Sequence, residues 1–98
     1  MSTVYHEQGL SKDAKAAHKA LASMIEEFEA VDWYNQRADV AEDEELKKIL
    51  IHNRNEEIEH AAMLLEWLRR RIPELHHELK TYLFTTAPVT EVEEAAKD

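Results

Sequence analysis

The sequence has no cysteine, a single glycine and only two prolines in 98 residues. Without cysteine, the chain forms neither a disulfide nor a thiolate metal site. Because sheet proteins need many turn residues, so little glycine and proline predicts long, uninterrupted helices. No apolar run approaches the roughly 20 residues of a membrane span, and no signal peptide is visible at the start.

Positive charge is also scarce, since 12 Lys and Arg stand against 21 Asp and Glu, for a formal net charge of −9. This balance disfavours nucleic acid and anionic membrane surfaces as partners. An acidic surface attracts cations, although it also serves ordinary solubility. With 44% apolar residues, the chain suits one small, soluble helical domain in the cytoplasm.

Apolar residues recur every three to four positions in two long segments, the spacing of amphipathic helices. The first helix is predicted over residues 11–38, with Ser11 as its N-cap. Residues 39–43, DVAED, break the pattern, and the second helix is predicted over residues 44–70. A shorter third helix, PELHHELKTYLF, is predicted to open at Pro73.

Both ends of the chain are predicted to be flexible. Residues 1–10 are polar and contain the only glycine, while residues 85–98 are polar, contain Pro88 and end in EVEEAAKD. Residues 11–84 are predicted to form an antiparallel two-helix hairpin with a short C-terminal helix. The predicted fold class is therefore all-α.

Three ionisable residues interrupt the apolar stripes of the two long helices. Glu27 lies between Met24 and Val31 on the first stripe, and Glu57 and His60 lie on the second. A carboxylate on a core face is costly unless it is paired, protonated or bound to metal. No Lys or Arg lies one turn before or after Glu27, which disfavours a simple ion pair within the helix.

Helical spacing predicts that these three residues lie at the same height. With a loop centred near residue 41, antiparallel helices place Glu27 opposite about residue 55. Glu57 is two residues further on, or roughly 3 Å at 1.5 Å rise per residue. Glu57 and His60, three residues apart, project from the same helix face. The sequence therefore predicts a shared site.

Two helices do not surround such a site, and a lone hairpin leaves its apolar stripe in water. A two-fold homodimer removes both problems by packing two hairpins into a four-helix bundle. The dimer would contain two copies each of Glu27, Glu57 and His60, which is the ligand set of di-iron carboxylate bundles. Four carboxylates neutralise two divalent cations, and this oxygen-rich set suits iron or manganese.

Three stretches of the chain closely resemble the encapsulated ferritins, short ferritin-like cargo proteins of encapsulin nanocompartments. They are EEFEAVDWYNQR (residues 26–37), HNRNEEIEHAAMLLEWLRR (52–70) and LKTYLF (79–84), and the resemblance covers about residues 20–88. It implies a ferritin-like four-helix bundle with ferroxidase activity. Fe(II) would be oxidised to Fe(III) at a di-iron centre, two irons per dimer, across the dimer interface.

The same resemblance implies roles for particular residues. Glu27, Glu57 and His60 match the family's iron ligands, and Trp33 and Tyr34 match an aromatic pair near the centre. Two further carboxylates match family positions implicated in metal access or in a secondary metal site: Glu26 and Glu29.

The resemblance also implies partners and a location. Members of the family form a ring of five dimers, a decamer, which passes ferric iron to the encapsulin shell for storage. The expected location is therefore cytoplasmic, inside an encapsulin nanocompartment. Encapsulin cargo usually carries a short apolar targeting peptide near its C-terminus, whereas this chain ends in the charged EVEEAAKD.

Other interpretations of these residues remain open from the sequence alone. Glu57 and His60 fit a solvated polar pair, or a buried polar layer that fixes the register of a structural or binding dimer. A di-metal site also fits peroxidase-like or manganese chemistry. Tyr34 fits a hydrogen bond to a ligand carboxylate, electron transfer or a plain interface position. Glu26 and Glu29 point roughly 100 to 200° away from Glu27 on the helix and equally fit a solvated surface.

Overall fold

A computed structural model describes residues 5–97 and, within them, four α-helices and no β-strand. The helices are α1 (Lys12–Val40), α2 (Glu44–Arg71), α3 (Pro73–Tyr82) and α4 (Val89–Ala96). The predicted all-helical fold is confirmed. Across the described residues, no helix combines the length and apolar character that crossing a bilayer requires.

Side-chain caps begin both long helices. The Ser11 hydroxyl accepts a hydrogen bond from the backbone N–H of Ala14 at 3.0 Å. A carboxylate oxygen of Asp43 accepts one from the N–H of Leu46 at 2.8 Å. These bonds satisfy N–H groups that the first turn of a helix leaves without a partner. Between the helices the backbone becomes extended at Ala41, inside the predicted break.

Helices α1 and α2 form an antiparallel hairpin. Glu27 of α1 faces His60 of α2, and further along α1 Asn35 faces Arg54, which lies earlier on α2. Residues later in α1 therefore face residues earlier in α2, as antiparallel helices require. Up to Trp67, the buried apolar positions of the two helices are all alanines, small enough to let two helices approach closely: Ala20, Ala38 and Ala61.

Larger apolar side chains of the hairpin remain exposed in the single chain. Phe28 and Trp33 of α1 are each 53% exposed, and Met63 of α2 is 58% exposed. A hairpin with this much uncovered apolar surface is typical of a chain that packs against another molecule. Six aliphatic residues of the hairpin are also exposed: Leu21, Ile25, Val40, Leu46, Ile49 and Ile58.

The chain divides into two compact units, one ending at Trp67 and the other beginning at Leu68. In the second unit Leu68 is fully buried, and α3 packs against α4. Pro73 occupies the first turn of α3, where its missing N–H leaves no helical hydrogen bond unmade.

The flexibility predicted for residues 1–10 and 85–98 stays a prediction, and both segments have structure in the described residues. Residues 1–4 lie outside the described part of the chain, but the ring of Tyr5 lies 4.9 Å from the ring of His18. In the C-terminal segment, Val89–Ala96 form α4. A helix of eight residues is marginal in water, so its contact with α3 supplies stability that composition alone did not reveal.

Candidate metal centre

Glu27, Glu57 and His60 lie together inside the hairpin. Glu27 Oε2 is 3.4 Å from Nδ1 of His60, and the same nitrogen is 3.7 Å from Oε2 of Glu57. One ligand atom from each residue lies within 4.8 Å of the others. The fold therefore brings together the three residues that the helical spacing had placed at one height.

Local structure explains this meeting. Only three residues separate α1 from α2, so the two helices run side by side immediately after the turn. The Asp43 cap fixes where α2 begins, and the rise per residue then sets which residues face Glu27. Glu57 and His60 share a face because they are three positions apart.

One carboxylate oxygen of Glu27 is buried but makes no hydrogen bond. Its Oε2 is the single buried side-chain nitrogen or oxygen of residues 5–97 that makes no hydrogen bond. His60 Nδ1 approaches it to 3.4 Å, but the contact lacks hydrogen-bond geometry. A buried polar atom without a hydrogen bond lowers the stability of the folded state by about 1–3 kcal/mol. A bound cation would satisfy this oxygen.

The pKa of Glu27 is raised above its ordinary value of 4.5. The largest cause is a hydrogen bond with Glu57, which one of the two carboxyl groups must be protonated to donate. Desolvation and the negative charge of Glu57 raise the pKa further, while the proximity of His60 lowers it. The metal-free cluster therefore favours a proton on Glu27, and a divalent cation would compete with that proton.

The donor set of the cluster suits a divalent metal. Two carboxylates and an imidazole provide oxygen and nitrogen atoms of the kind that bind iron and manganese. The side chains of Glu27 and Glu57 are 24% and 25% exposed and that of His60 is 42% exposed, so ions can reach the cluster. Three residues leave an octahedral metal short of ligands. The cluster of one hairpin is therefore open on one side.

The other residues that the resemblance singled out lie outside this cluster. Tyr34 is half-buried and seven residues from Glu27, about 10.5 Å along the helix axis, which excludes a direct bond within one chain. The guanidinium of Arg37 lies over its ring, 5.7 Å from the centroid. Glu26 is exposed and Glu29 is half-buried, and neither belongs to the group around Glu27.

Two features of α2 were not predicted from the sequence. Glu56 and Glu59 also offer ligand atoms close to His60, and Glu56 lies 3.6 Å from His52. The run EEIEH contains the signal, since its residues are spaced at three and four positions. Both glutamates are exposed, so this second cluster is an acidic group on the surface.

The second missed feature is Arg54, which joins the two long helices. Its Nη1 donates to Oδ1 of Asn35 at 3.0 Å, and its Nε and Nη2 donate to Oδ1 of Asn55 at 3.3 and 3.1 Å. Arg54 thereby links positions on α1 and α2 between the turn and the carboxylate cluster. An arginine at a polar helix position is common, so the sequence alone does not predict this hydrogen bond between the helices.

The hairpin and its inward-facing carboxylates and histidine define a ferritin-like helical protein. The EncFtn-like family model matches residues 2–86, and the chain belongs to this family of encapsulated ferritin-like proteins. A ferritin-like protein of Thermotoga maritima is 53% identical over 96 residues, covering 96% of this chain and 84% of its own length.

Two further relatives show the same likeness. An encapsulated ferritin-like protein of Rhodospirillum rubrum is 54% identical over 86 residues, and the match spans 88% of this chain and 61% of that relative. A crystal structure of a Nitrosomonas europaea protein is 56% identical, with a TM-score of 0.84 over 87% of this chain and 96% of that one. The ferritin-like helical fold is thus shown by structure as well as by sequence.

Proposed function

We propose that this protein is a ferroxidase, which binds Fe(II) as its substrate at Glu27, Glu57 and His60 and oxidises it to Fe(III). The observation that carries the proposal is the cluster itself. Two carboxylates and an imidazole lie within 4.8 Å, and one buried oxygen has no hydrogen bond. Membership of the encapsulated ferritin-like family supports iron as the metal.

A homodimer is part of this proposal because one hairpin supplies too few ligands for two metal ions. A cleft of about 590 Å³ runs along the hairpin beside the cluster and is suited to a helix of a second copy. Two-fold symmetry would double the cluster to four carboxylates and two imidazoles. Four negative charges would then balance two Fe(II) ions. Five apolar and three polar residues line the cleft: Ala16, Ala20, Met63, Leu64 and Trp67, with Lys19, Ser23 and His60.

Each residue of the cluster has a distinct task in this scheme. Two Fe(II) ions held side by side supply two electrons to dioxygen. In the proposed dimer, Glu57 would bind both ions, while Glu27 and His60 would each hold one ion and leave positions for oxygen. Because the pKa of Glu27 is raised, an arriving cation would displace any proton on its carboxyl group, which links metal binding to proton release.

Three further residues have proposed supporting tasks. Glu26 and Glu29 would draw cations towards the cluster along the acidic surface of α1. Tyr34, too far from Glu27 of its own helix, would act across the dimer interface by hydrogen bonding or by electron transfer. The resemblance to the encapsulated ferritins supports the metal-access role, or a secondary metal site, for Glu26 and Glu29, whereas the task of Tyr34 is argued from its position on the first stripe.

The proposal extends to assembly. Five such dimers would form a decameric ring that delivers ferric iron to an encapsulin shell, where it is stored. The name of the Rhodospirillum relative, an encapsulated ferritin-like protein, supports the shell association. Co-expression with an encapsulin shell protein tests it, because cargo should purify inside the shell and resist added protease. A chain that purifies apart from intact shells contradicts this part alone.

The activity is tested by following Fe(II) oxidation in air by absorbance. Wild-type protein should oxidise Fe(II) well above the protein-free rate, while Glu27→Ala and His60→Ala should fall to that rate. Glu42→Ala, in the exposed turn between α1 and α2, is the matched control and should keep full activity. Equal rates for wild type and His60→Ala would favour a structural polar layer instead.

A manganese or peroxidase-like site is the second candidate, because the same oxygen-rich donors suit manganese. Repeating the assay with hydrogen peroxide in place of air, and with Mn(II) in place of Fe(II), separates the two. Faster Fe(II) oxidation by dioxygen than by an equal concentration of peroxide supports a ferroxidase. Light scattering with and without Fe(II), kept free of oxygen, tests the dimer, and a strictly monomeric species contradicts it.

A further inference from the structure

The two long helices contain four side chains with an amide group, and one of them is half-buried. The other three, Asn35, Gln36 and Asn55, are exposed, and each makes a hydrogen bond to a neighbouring side chain. Asn53 is half-buried, yet within residues 5–97 its amide group makes no hydrogen bond. Withdrawing a polar group from water is costly unless the group gains a partner. The amide most withdrawn from water is therefore the one without a partner in the metal-free chain.

Asn53 lies on the same stripe of α2 as Glu57 and His60. It is four residues before Glu57, about 6 Å along the helix axis, and residues four apart are neighbours on a helix surface. The Cα–Cβ bonds of a helix tilt towards its N-terminus, so the side chain of Glu57 leans towards the turn that contains Asn53. This spacing brings the Asn53 amide within reach of the Glu57 carboxylate.

The Glu57 carboxylate has room for another hydrogen-bond donor. Its Oε2 lies 3.7 Å from Nδ1 of His60, and it shares a hydrogen bond with Glu27. The two oxygens of an ionised carboxylate accept about four hydrogen bonds in all. The other polar residue one turn before Glu57 is Arg54, whose guanidinium already donates to two asparagine side chains. Asn53 is therefore the uncommitted donor on this side of Glu57.

We propose that Asn53 is a positioning residue of the metal centre, whose amide N–H donates a hydrogen bond to the Glu57 carboxylate and fixes its orientation when metal binds. The inference rests on the proposed ferroxidase function, in which Glu57 would bind both ions and has the strictest geometric requirement. Hydrogen bonds to a ligating carboxylate orient it and thereby increase metal affinity. A neutral amide does so without adding a positive charge beside the cations.

A register-fixing role is the alternative for Asn53. An asparagine in the apolar seam between helices sets their register in some dimers by pairing with its own copy. In that role its replacement would act on the dimer as a whole, and the effect on metal binding would not depend on one particular ligand. A positioning role instead couples Asn53 to Glu57. The two roles are separated by measuring that coupling.

Three substitutions at position 53 test the donor. Asn53→Leu keeps the branching of the side chain but removes the N–H, Asn53→Ala does so with a smaller side chain that does not clash in a dimer, and Asn53→Gln keeps an amide that reaches four residues along a helix. Fe(II) is titrated without oxygen by calorimetry, at a protein concentration where light scattering shows the same assembly for each variant. Asn53→Leu and Asn53→Ala should weaken Fe(II) binding roughly 10- to 100-fold, and Asn53→Gln should restore most of the affinity.

A double-mutant cycle shows whether the effect runs through Glu57. Glu57→Asp shortens this ligand by one methylene and withdraws its carboxylate from Asn53. Glu27→Asp shortens the ligand on α1 in the same way and is the matched control. Adding Asn53→Ala should cost little further Fe(II) affinity in the Glu57→Asp protein, whereas it should cost the full amount in the Glu27→Asp protein.

Two results would overturn the inference. One is an Fe(II) affinity of Asn53→Leu and Asn53→Ala equal to that of the wild type. The other is an equal loss of affinity in the Glu57→Asp and Glu27→Asp backgrounds, which would favour the register-fixing role. A wild-type affinity no higher than that of His60→Ala would instead refute the proposed metal site, and with it any role for Asn53 there.

Discussion

Arg54 of α2 donates a hydrogen bond to Asn35 of α1, with 3.0 Å between Nη1 and Oδ1. The bond crosses the hairpin between the turn and the carboxylate cluster, and it ties together two positions far apart in sequence. Sliding one helix past the other by a residue would move Glu27 about 1.5 Å relative to His60 and break this bond. The Arg54–Asn35 pair therefore supports the register on which the cluster depends.

Asn35→Ala is expected to lower the free energy of unfolding by about 0.5–1.5 kcal/mol, the usual worth of one hydrogen bond. It should also weaken metal binding, because the hairpin loses a contact that sets the height of Glu27. Asn55→Ala is the matched control, since it removes Arg54 bonds that stay within α2. Urea unfolding and Fe(II) titration without oxygen measure the two effects. Equal loss of metal affinity in both variants contradicts the register argument.

Glu27→Gln is expected to stabilise the metal-free protein at neutral pH. The pKa of Glu27 is raised in the folded protein, so between pH 4.5 and that raised pKa the folded state keeps a proton that the unfolded state releases. The stability gained from this proton is present below the unfolded value of 4.5 and is lost as pH rises through the raised pKa. Glutamine has nearly the same side-chain shape as glutamate and stays neutral, so the variant does not lose stability when the pH rises.

The advantage of Glu27→Gln should therefore grow from acid to neutral pH and disappear below the unfolded value. Urea unfolding with chelator present, at several pH values and one protein concentration, measures it. Wild-type affinity for Fe(II) without oxygen should instead increase with pH, because the cation displaces the proton. A stability difference that is constant with pH would show that Glu27 does not hold the proton.

Metal binding is expected to raise the melting temperature, because the proposed site exists only in the folded protein and the unfolded chain lacks it. At a free metal concentration 100 times Kd, one site contributes about 2.7 kcal/mol. Thermal unfolding with Fe(II) in the absence of oxygen should show the increase, and a chelator should reverse it. His60→Ala, studied in parallel, should show little change. A similar increase in that variant would place the metal elsewhere.

Leu68→Ala is expected to destabilise the protein by about 2–5 kcal/mol, because it empties space around a fully buried side chain. Leu83→Ala provides the comparison in the same unit. Leu83 is 43% exposed, so its truncation removes far less buried surface and should cost much less. Denaturant unfolding measures both. Equal losses would mean that residues around position 68 close the space after truncation.

The sequence predicted the long helices and the carboxylate cluster because both follow from regular spacing. Helical periodicity located the stripes, and the caps at Ser11 and Asp43 located two helix starts. The rise per residue then sufficed to place Glu27 near Glu57 and His60. These arguments need only the backbone geometry of a helix.

Features that depend on tertiary contacts were not predicted. The short helix α4 relies on packing against α3, which composition does not reveal. The bridge from Arg54 to Asn35 depends on side-chain conformations rather than on spacing. Glu56 and Glu59 are spaced to share one face of the helix. They do not interrupt an apolar stripe, so nothing in the sequence distinguished them from ordinary surface residues. The dimer stays a prediction, argued from the exposed apolar residues and the half-complete ligand set.

Alanine at the three buried positions of the two long helices up to Trp67 has a consequence for assembly. Alanine side chains bury little apolar surface between the two helices of one copy. Association with a second copy would therefore supply much of the stability of the proposed dimer. Dilution would then separate the ligands before it unfolds the helices. If the dimer is the proposed ferroxidase, its total activity at low protein concentration would fall with the square of the amount of chain.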